Sequence, residues 1–266
     1  MFRDIVVPLD GSRFAERAVG LAERIAREDE ARLHLIRVHL ASGPAEQDSA
    51  VRAADQRYLE ALASELRVHA AEVSIAVLDG SPALAIADYA DCVDADLVVM
   101  TTHGRTGDER RRLGSVAAVV AHHARCMVML LRGNATPKLG SDLFDRVLIA
   151  VNGTECREDV EAVALRLGTL GHATFRIFHT LPARQAPEPI GARAHTEPQF
   201  GYVQPERARA EGNASCIAGR LRAAGLRAEV LIGVAQSPED TVLAVASQDA
   251  ADLIVLVPTM SAAREQ

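Results

Sequence analysis

Short apolar runs of strand length alternate with amphipathic segments along the first half of the chain. The run "DIVVPL" at residues 4–9 is followed by "SRFAERAVGLAERIARE", where Phe14, Ala18 and Leu21 recur at helical spacing. Four further apolar runs, each preceded by a segment of helical pattern, lie at residues 31–40, 71–80, 96–102 and 126–132. This alternation predicts an α/β fold with a parallel sheet of five strands and helices on both faces.

The same pattern restarts in the second half of the chain. A segment rich in Gly, Pro, Asn and Ser, "GNATPKLGSDLF", interrupts the alternation and is typical of a linker. Beyond it, the segment that begins at Phe2 aligns with the one that begins at Phe144, and "DADLVVM" at Asp94 aligns with "AADLIVL" at Ala250. The chain is therefore predicted to be an internal duplication. We expect a first unit, a linker and a second unit at residues 1–134, 135–144 and 145–266.

Composition and charge exclude several classes of partner. The formal net charge is −7 and aromatic residues make up 3% of the chain with no Trp, which argues against nucleic-acid binding and base stacking. No apolar run is long enough to span a membrane. The four cysteines are far apart, which is typical of reduced, mostly buried thiols in a cytosolic protein. We therefore expect a cytoplasmic protein with no nucleic-acid or membrane partner.

The stretch "MTTHGRTGDERRRLGSV", Met100 to Val116, follows the fourth apolar run directly. Gly104 and Gly107 allow the chain to turn out of a buried strand and bring backbone N–H groups close to a ligand. Gly114-Ser115 opens the next helix, whose first N–H groups and dipole favour an anion. The interpretation is that the glycines bracket a phosphate chain. The alternative is that Gly104 is only a turn and Ser115 only a helix cap.

Five motifs in this order resemble the universal stress protein family: "DIVVPLDGS", "LDGSPALAIADYA", "DADLVVMTTHGRTG", "LGSV" and "HHARCMVMLL". The resemblance implies two tandem Rossmann-like (adenine nucleotide alpha hydrolase-like) domains, with a five-stranded parallel sheet in the first and a shortened sheet in the second. One branch of the family binds ATP through Gly-x-x-Gly, nine residues, then Gly-Ser or Gly-Thr. Here Gly104, Gly114 and Ser115 match, and Thr101 stands where that pattern has its first glycine.

The resemblance also implies a set of nucleotide contacts. Asp10 would meet the ribose or adenine side, and Val38 would face the adenine with its backbone. A simpler interpretation of Asp10 is an Asp-Gly turn that caps the next helix at Ser12, and both can hold together. The predicted nucleotide-binding residues are Pro8, Leu9, Asp10, Ser12, Val38, Met100, Thr101, His103, Gly104, Arg105, Gly107, Gly114, Ser115 and Val116.

The expected cofactor is ATP, with Mg²⁺ bound to its phosphates. No catalytic or metal-ligating residues are predicted, because the sequence has no Walker lysine and no Cys/His cluster. The leading hypothesis is a stress-response sensor or regulator with one adenine-nucleotide site in the first repeat. The alternatives are a stress protein that binds no nucleotide and acts through an unidentified protein partner, and a slow adenine-nucleotide hydrolase.

The second repeat lacks most of the predicted site. Asn152 replaces Asp10, Met260 falls at the position of Gly104, and nothing corresponds to Gly114-Ser115. We expect this repeat to bind no nucleotide and to pack against the first. Its insertion at residues 181–206 is expected to be a mobile loop. The apolar fifth strand of the first repeat, residues 127–131, is expected to be an open edge that pairs with a second chain, which makes a homodimer.

Overall fold

The computed structural model describes residues 2–40, 44–67, 72–102, 114–131, 144–151, 158–169, 172–182, 204–235 and 238–256. The elements of the first repeat are β1 Asp4–Pro8, α1 Arg13–Asp29, β2 Arg32–His39, α2 Ala45–Leu66, β3 Glu72–Asp79, α3 Pro82–Cys92, β4 Leu97–Thr101, α4 Ser115–His123 and β5 Met127–Leu131. Those of the second repeat are β6 Arg146–Val151, α5 Glu158–Thr169, β7 Thr174–Pro182, α6 Gln204–Ala223, β8 Arg227–Ala235, α7 Pro238–Gln248 and β9 Leu253–Leu256.

All described strands join one sheet, in the order β3-β2-β1-β4-β5-β9-β6-β7-β8. Strands within each repeat are parallel to their neighbours. The predicted five-stranded parallel sheet of the first repeat is therefore confirmed. The second repeat contributes a shorter, four-stranded part with the matching order β9-β6-β7-β8. The linker predicted at 135–144 lies almost wholly outside the described residues, so the unit boundaries stay predictions.

The expectation that residues 127–131 form an open edge is wrong. β5 pairs with β4 on one side and antiparallel with β9 on the other, with Val128 opposite Leu256 and Leu131 opposite Leu253. Both rows of its backbone groups are thus used within the chain. A second chain has no free ladder to join at this strand, because the chain's own second repeat already occupies that position.

The sheet is covered on both faces by helices from both repeats. One apolar cluster packs α1, α2, α5 and α6 against the face that carries Ile5, Val7 and Val99; we call this the first face. The other cluster packs α3, α4 and α7 against the second face, which carries Val6 and Val98. Side chains of successive strand residues point to opposite faces, so the near-continuous apolar strands predicted from the sequence supply both clusters.

The same contact between an Asp side chain and two backbone N–H groups occurs in both repeats and reflects the duplication. Asp96 accepts hydrogen bonds from the N–H groups of Arg3 and Asp4, at 2.7 and 3.2 Å. In the second repeat, Asp252 accepts the corresponding bonds from the N–H groups of Asp145 and Arg146, at 2.8 and 3.1 Å. Each Asp thus ties the residue before one strand, β4 or β9, to the start of the neighbouring strand, β1 or β6.

The helices begin and end close to the predicted residues. α1 starts after Ser12, whose side chain accepts from the N–H of Ala15, and ends at Glu30 with a left-handed φ of 55°. Ser81 precedes the Pro at the start of α3, but its side chain makes no capping hydrogen bond. β7 continues to Pro182 and α6 begins at Gln204, so both ends of the predicted 181–206 loop lie in regular elements and its middle lies outside the described residues. None of the described helices is long and apolar enough to cross a membrane.

Candidate functional site

The candidate site lies where the strand order of the first repeat reverses. From β1 the chain passes over the first face through α1 to β2, whereas β3 returns over the second face through α3 to β4. β1 and β4 are neighbours, with Ile5 opposite Leu97 and Val6 opposite Val98. The chain continues from β1 to α1 on the first face and from β4 to α4 on the second face, and we call the space between the carboxyl ends of these two strands the crevice. Ligands of doubly wound sheets bind at such a position.

The turn after β1 forms one wall of this crevice. Leu9 donates its N–H to the carbonyl of Ile36 at 2.8 Å, which ties the end of β1 to β2. Asp10 then accepts the N–H of Ser12 at 2.9 Å, and Ser12 in turn caps α1. Gly11, between them, has a φ of 82°, a conformation that favours glycine. The Asp-Gly turn predicted at this position is confirmed, and it holds the partly buried Asp10 carboxylate at the mouth of the crevice.

Arg37 supports this turn from below. A Cβ added to Gly11 would lie 2.3 Å from Nη1 of Arg37, so the guanidinium is packed directly against the turn. Arg37 pairs with Asp55 of α2 at 2.5 Å, and its guanidinium carbon lies 5.1 Å from the ring centroid of Tyr58. Burial and a hydrogen bond to Glu16 raise the pKa of Tyr58. The β1–α1 turn is thus anchored to α2 through one partly buried cation, Arg37.

His39 extends the same network. Its Nδ1 lies 3.1 Å from Asp55 and its Nε2 3.0 Å from Asp48, and the ring is almost fully buried. The hydrogen bonds to Asp55 and then to Asp48 raise the pKa of His39 against the opposing effect of desolvation. His39 therefore links the start of α2 to the carboxyl end of β2, and the two carboxylates favour its protonated form.

The other wall of the crevice is the junction of β4 and α4. Thr102 donates its N–H to the carbonyl of Leu131 at 2.8 Å, and its own carbonyl accepts the N–H of Gly114 at 2.8 Å. The chain therefore leaves the sheet at Thr102 and returns to the same point twelve residues later, at Gly114. The glycine-rich loop predicted from the sequence has its two ends joined by one backbone hydrogen bond.

The N-terminus of α4 opens toward solvent at this junction. Gly114 is the N-cap residue, with φ −56° and ψ 143°, and the helix has no side-chain cap. Ser115 is the first helical residue and is exposed, so the alternative in which Ser115 is the cap is wrong. The first N–H groups of a helix have no carbonyl partner within it. Together with the helix dipole, they make this end a favourable position for an anion.

The remaining predicted residues fall into two groups. Pro8, Leu9, Met100 and Thr101 are buried in or beside β1 and β4. Val38 pairs with Leu78 of β3 in a part of β2 that extends beyond the ladder with β1. Val116 lies in the first turn of α4. The predicted contacts His103, Gly104, Arg105 and Gly107 lie outside the described residues.

Sequence reasoning missed the network of Arg37, His39, Asp48, Asp55 and Tyr58 beneath the site. A signal was present, because β2 carries two cationic residues on one face where an all-buried strand should be apolar. An Asp inside the buried stripe of α2 was the matching clue. The sequence does not show that these residues meet, because they lie on different elements.

The second repeat does not keep the Arg37 anchor of the crevice among the residues that the structure describes. Register places His179 of β7 where the first repeat has Arg37. Burial lowers the pKa of His179, and its Nδ1 has no hydrogen-bond partner in the described part of the chain. Asn152, which replaces Asp10, lies outside that part. The cationic anchor of the turn is therefore lost as well as the carboxylate above it.

Metal binding and thiol chemistry have little support in the described residues. No group of three or more His, Cys, Asp or Glu in them could hold a metal ion. Cys92 and Cys216 are exposed, so the expectation of mostly buried thiols is wrong for these two. Cys126 is partly buried, and its burial raises the pKa of the thiol to about 12. Its thiolate is therefore scarce at neutral pH.

Comparison with known proteins identifies the class. The sequence model of the universal stress protein family matches residues 1–132 and 143–259. The chain thus belongs to the universal stress protein family, in a tandem arrangement with the Rossmann-like fold of that family.

Individual proteins are similar to this chain over part or most of its length. A universal stress protein of Methanocaldococcus jannaschii is 33% identical over 141 residues, which is 50% of this chain and 83% of that protein. A universal stress protein structure from Archaeoglobus fulgidus covers 96% of this chain and 95% of its own, with a TM-score of 0.59 and 13% identity, so this likeness shows the fold alone. A universal stress protein solved in complex with cAMP is 27% identical, covers 50% of this chain and 98% of its own, and has a TM-score of 0.42.

Proposed function

We propose that the first repeat binds one adenine nucleotide, ATP in the simplest case, and that the protein acts as a nucleotide-dependent regulator in the stress response. The observation that carries this proposal is the hydrogen bond between the carbonyl of Thr102 and the N–H of Gly114. It sets the uncapped start of α4 at the carboxyl end of β4, beside the turn that carries Asp10. An anion position and a carboxylate thus flank one crevice.

The two walls suit the two ends of a nucleotide. The N–H groups at the start of α4 would hold phosphate oxygens, with the exposed hydroxyl of Ser115 as a further donor. The Asp10 carboxylate would accept sugar hydroxyls, as acidic residues do at such crevices. Val38, beyond the end of the β1 ladder, would offer backbone groups to the base. Mg²⁺ would be carried by the phosphates. His103, Gly104, Arg105 and Gly107 complete the proposed set.

Thr101 is compatible with this arrangement. It is the last residue of β4, pairs with Leu131 of β5, and is buried. Alternation along β4 places its side chain on the first face with Val99, whereas α4 packs on the second face. The Cβ that replaces the family glycine therefore points away from the start of α4.

The second repeat, proposed at residues 145–266, is expected to bind no nucleotide.

The test is calorimetric titration of the full chain with ATP, ADP and cAMP in the presence of magnesium. The wild type is expected to bind with one site per chain. The variant Gly114→Asp is expected to lose about 100-fold or more in affinity, because like charges brought together cost several kcal/mol. Its fold should survive, because Gly114 already has an extended N-cap conformation and Asp is a preferred N-cap residue.

Gly20→Asp is the matched control. It adds the same charge at an exposed position of α1 where a Cβ meets nothing within 4 Å. We expect this variant to bind ATP as the wild type does. Absence of binding in the wild type would overturn the proposal and favour a function through protein contacts. A stoichiometry of two sites would overturn the assignment of the second repeat as a non-binding unit.

A further inference from the structure

Two charged residues of β2, Arg37 and His39, share one carboxylate beneath the proposed nucleotide site. Asp55 of α2 lies 2.5 Å from Nε of Arg37 through Oδ1 and 3.1 Å from Nδ1 of His39 through Oδ2. Val38, the residue between them, is proposed to offer its backbone to the base. The Arg37 guanidinium also packs against the β1–α1 turn at Gly11. This network therefore supports the crevice at two points.

The protonation state of His39 is set by what its two ring nitrogens face. Nδ1 lies 3.1 Å from Asp55 and Nε2 lies 3.0 Å from Asp48, and the side chain is 2% exposed. A carboxylate accepts hydrogen bonds and has no proton to donate, so a neutral imidazole would turn a lone pair toward one of the two. The imidazolium can donate to both. The hydrogen bonds to Asp55 and then to Asp48 accordingly raise the pKa of His39.

His34, on the same strand, has a different arrangement of partners. Its Nε2 lies 2.9 Å from the Asp4 carboxylate. Its Nδ1 lies 2.9 Å from the hydroxyl of Ser74 and 3.2 Å from that of Tyr89. A hydroxyl can donate to a bare ring nitrogen, so a neutral imidazole satisfies both of its nitrogens there. Loss of a proton is thus tolerated at His34, whereas at His39 it costs a hydrogen bond.

Other charged groups of the elements around His39 are already engaged. Arg52 of α2 pairs with Asp79 of β3, the residue opposite His39 in the ladder. Glu16 of α1 accepts a hydrogen bond from the hydroxyl of Tyr58 on α2 at 3.0 Å. A proton lost from His39 is therefore not compensated by these groups.

Loss of the His39 proton has two effects on the crevice, and both have the same sign. A lone pair then faces a carboxylate, which weakens the link between α2 and the carboxyl end of β2 beside Val38. The network also changes from balanced charge, with Arg37 and His39 opposite Asp48 and Asp55, to a net negative charge. A negative charge beneath the crevice opposes the binding of an anion.

The second repeat shows that the fold does not require these charges. The buried stripe of α2 and four buried residues of α6 have the same spacing. They are Asp55, Leu59, Ala63 and Leu66 in α2 and Ala210, Ala214, Ala218 and Leu221 in α6. Ala210 thus stands in place of Asp55, and strand register places Leu181 in place of His39. Apolar residues often pack at least as stably as a buried charge network, so the charges in the first repeat point to a function there.

We propose that His39 positions the crevice for a nucleotide only while it is protonated, so that binding of ATP takes up a proton at this residue. The inference rests on the proposed function and adds its regulation by pH. The affinity for nucleotide is highest near neutral and mildly acidic pH and falls as the solution becomes more alkaline. Arg37 and His39 are thus positioning residues, which act on the ligand through the turn at Gly11 and the backbone of Val38.

The test is calorimetric titration of the full chain with ATP and magnesium from about pH 6.5 to about pH 9, in two buffers of different ionisation enthalpy at each pH. The difference in measured enthalpy between the buffers gives the number of protons taken up on binding. The folded pKa of His39 is raised, so its protonated form is fully populated below that pKa and is lost as the pH rises through it. The wild type should therefore take up a fraction of one proton in the alkaline part of the range. There its affinity should fall by up to about tenfold per pH unit.

His39→Gln is expected to bind ATP without this proton uptake, because an amide does not titrate. His34→Gln is the matched control: the same substitution on the opposite face of the same strand should keep the wild-type proton uptake. A purely structural role of His39 would change stability and leave proton uptake unchanged, and that result would overturn the proposal. ATP binding without pH dependence in the wild type would overturn it while the proposed function stands. Absence of ATP binding at every pH would overturn both.

Asp48→Asn tests the same proposal with the histidine in place. Asp48 is 30% exposed in the first turn of α2, so the fold should tolerate the change. An amide can donate as well as accept, so a neutral His39 would then satisfy both of its nitrogens. The alkaline fall in ATP affinity should move to lower pH by about one unit. A fall at the same pH as in the wild type would overturn the proposal.

Discussion

At the scale of single residues, the candidate site depends on the contact between Gly11 and Arg37. Gly11→Ala introduces a Cβ 2.3 Å from the guanidinium at a φ of 82°. We expect a loss of about 1 to 3 kcal/mol in the free energy of unfolding, because both the strain and the clash oppose the turn. Urea denaturation measures this loss. Gly20→Ala, in the helix α1 that follows the turn, is the control and should be neutral or stabilising, since its Cβ meets nothing within 4 Å.

His39 makes a second residue-scale prediction, on pH. Its pKa is raised in the folded state by Asp55 and Asp48. The stability it contributes is therefore complete below its unfolded pKa, near about 6.5, and is lost as pH rises through the higher folded pKa. The wild type should lose resistance to urea as the pH rises above about 6.5. His39→Gln should show a smaller loss over that range, and an unchanged pH dependence would contradict the charged network.

What the sequence could predict at this scale depended on distance along the chain. The Asp10–Ser12 turn is local, and the residue types sufficed to predict it. Gly114 rather than Ser115 as the cap was missed, because the fold decides where the returning chain meets Thr102. The Arg37 network was missed because its partners lie on another helix.

At the scale of elements, α1 and α5 meet at the junction of the two repeats. Asp29, at the end of α1, has no exposed side-chain surface and accepts both the N–H of Phe2 at 3.0 Å and the guanidinium of Arg166 from α5. Thr169 adds a hydrogen bond to Glu28 at 2.9 Å. The second repeat thus neutralises a buried carboxylate of the first.

Removal of this cation should be costly. Arg166→Met is expected to lower the free energy of unfolding by about 3 kcal/mol, because it leaves the Asp29 carboxylate buried without its counter-charge. Arg220→Met is the control. It breaks a more exposed pair with Glu161, in which the two side chains are 44% and 26% exposed, and should cost about 1 kcal/mol or less. Equal effects of the two variants in denaturant titrations would show that burial at Asp29 is unimportant.

The elements themselves were largely predictable. Periodicity located every strand and helix of the first repeat to within a few residues, because apolar spacing determines what each segment can bury. The partner of β5 was not predictable in this way. An apolar run indicates that a strand is central, and the second repeat supplied the neighbour that a second chain was expected to provide.

At the scale of the whole molecule, the fifth strand of the first repeat pairs with strands of both repeats. β5 is the last strand in the part of the sheet formed by the first repeat, and it pairs with β9, the terminal strand of the part formed by the second repeat. The isolated first unit, residues 1–134, would therefore expose the β9-facing edge of β5, with Val128, Met129 and Leu130 along it. We expect this fragment to dimerise or aggregate through that edge, measured by sedimentation. A monodisperse monomer would contradict the view that β9 protects β5.

The continuous sheet also limits how the molecule can transmit a signal. Two domains joined by a flexible connection can close around a ligand as rigid bodies, and that rotation reports binding at a distance. Here the halves are fastened by an antiparallel ladder of four residue pairs from Val128 to Leu131, so rotation of one half would break the sheet. A ligand of the proposed site would therefore be reported by a change close to the crevice, at the surface where the chain leaves Thr102 and returns to Gly114.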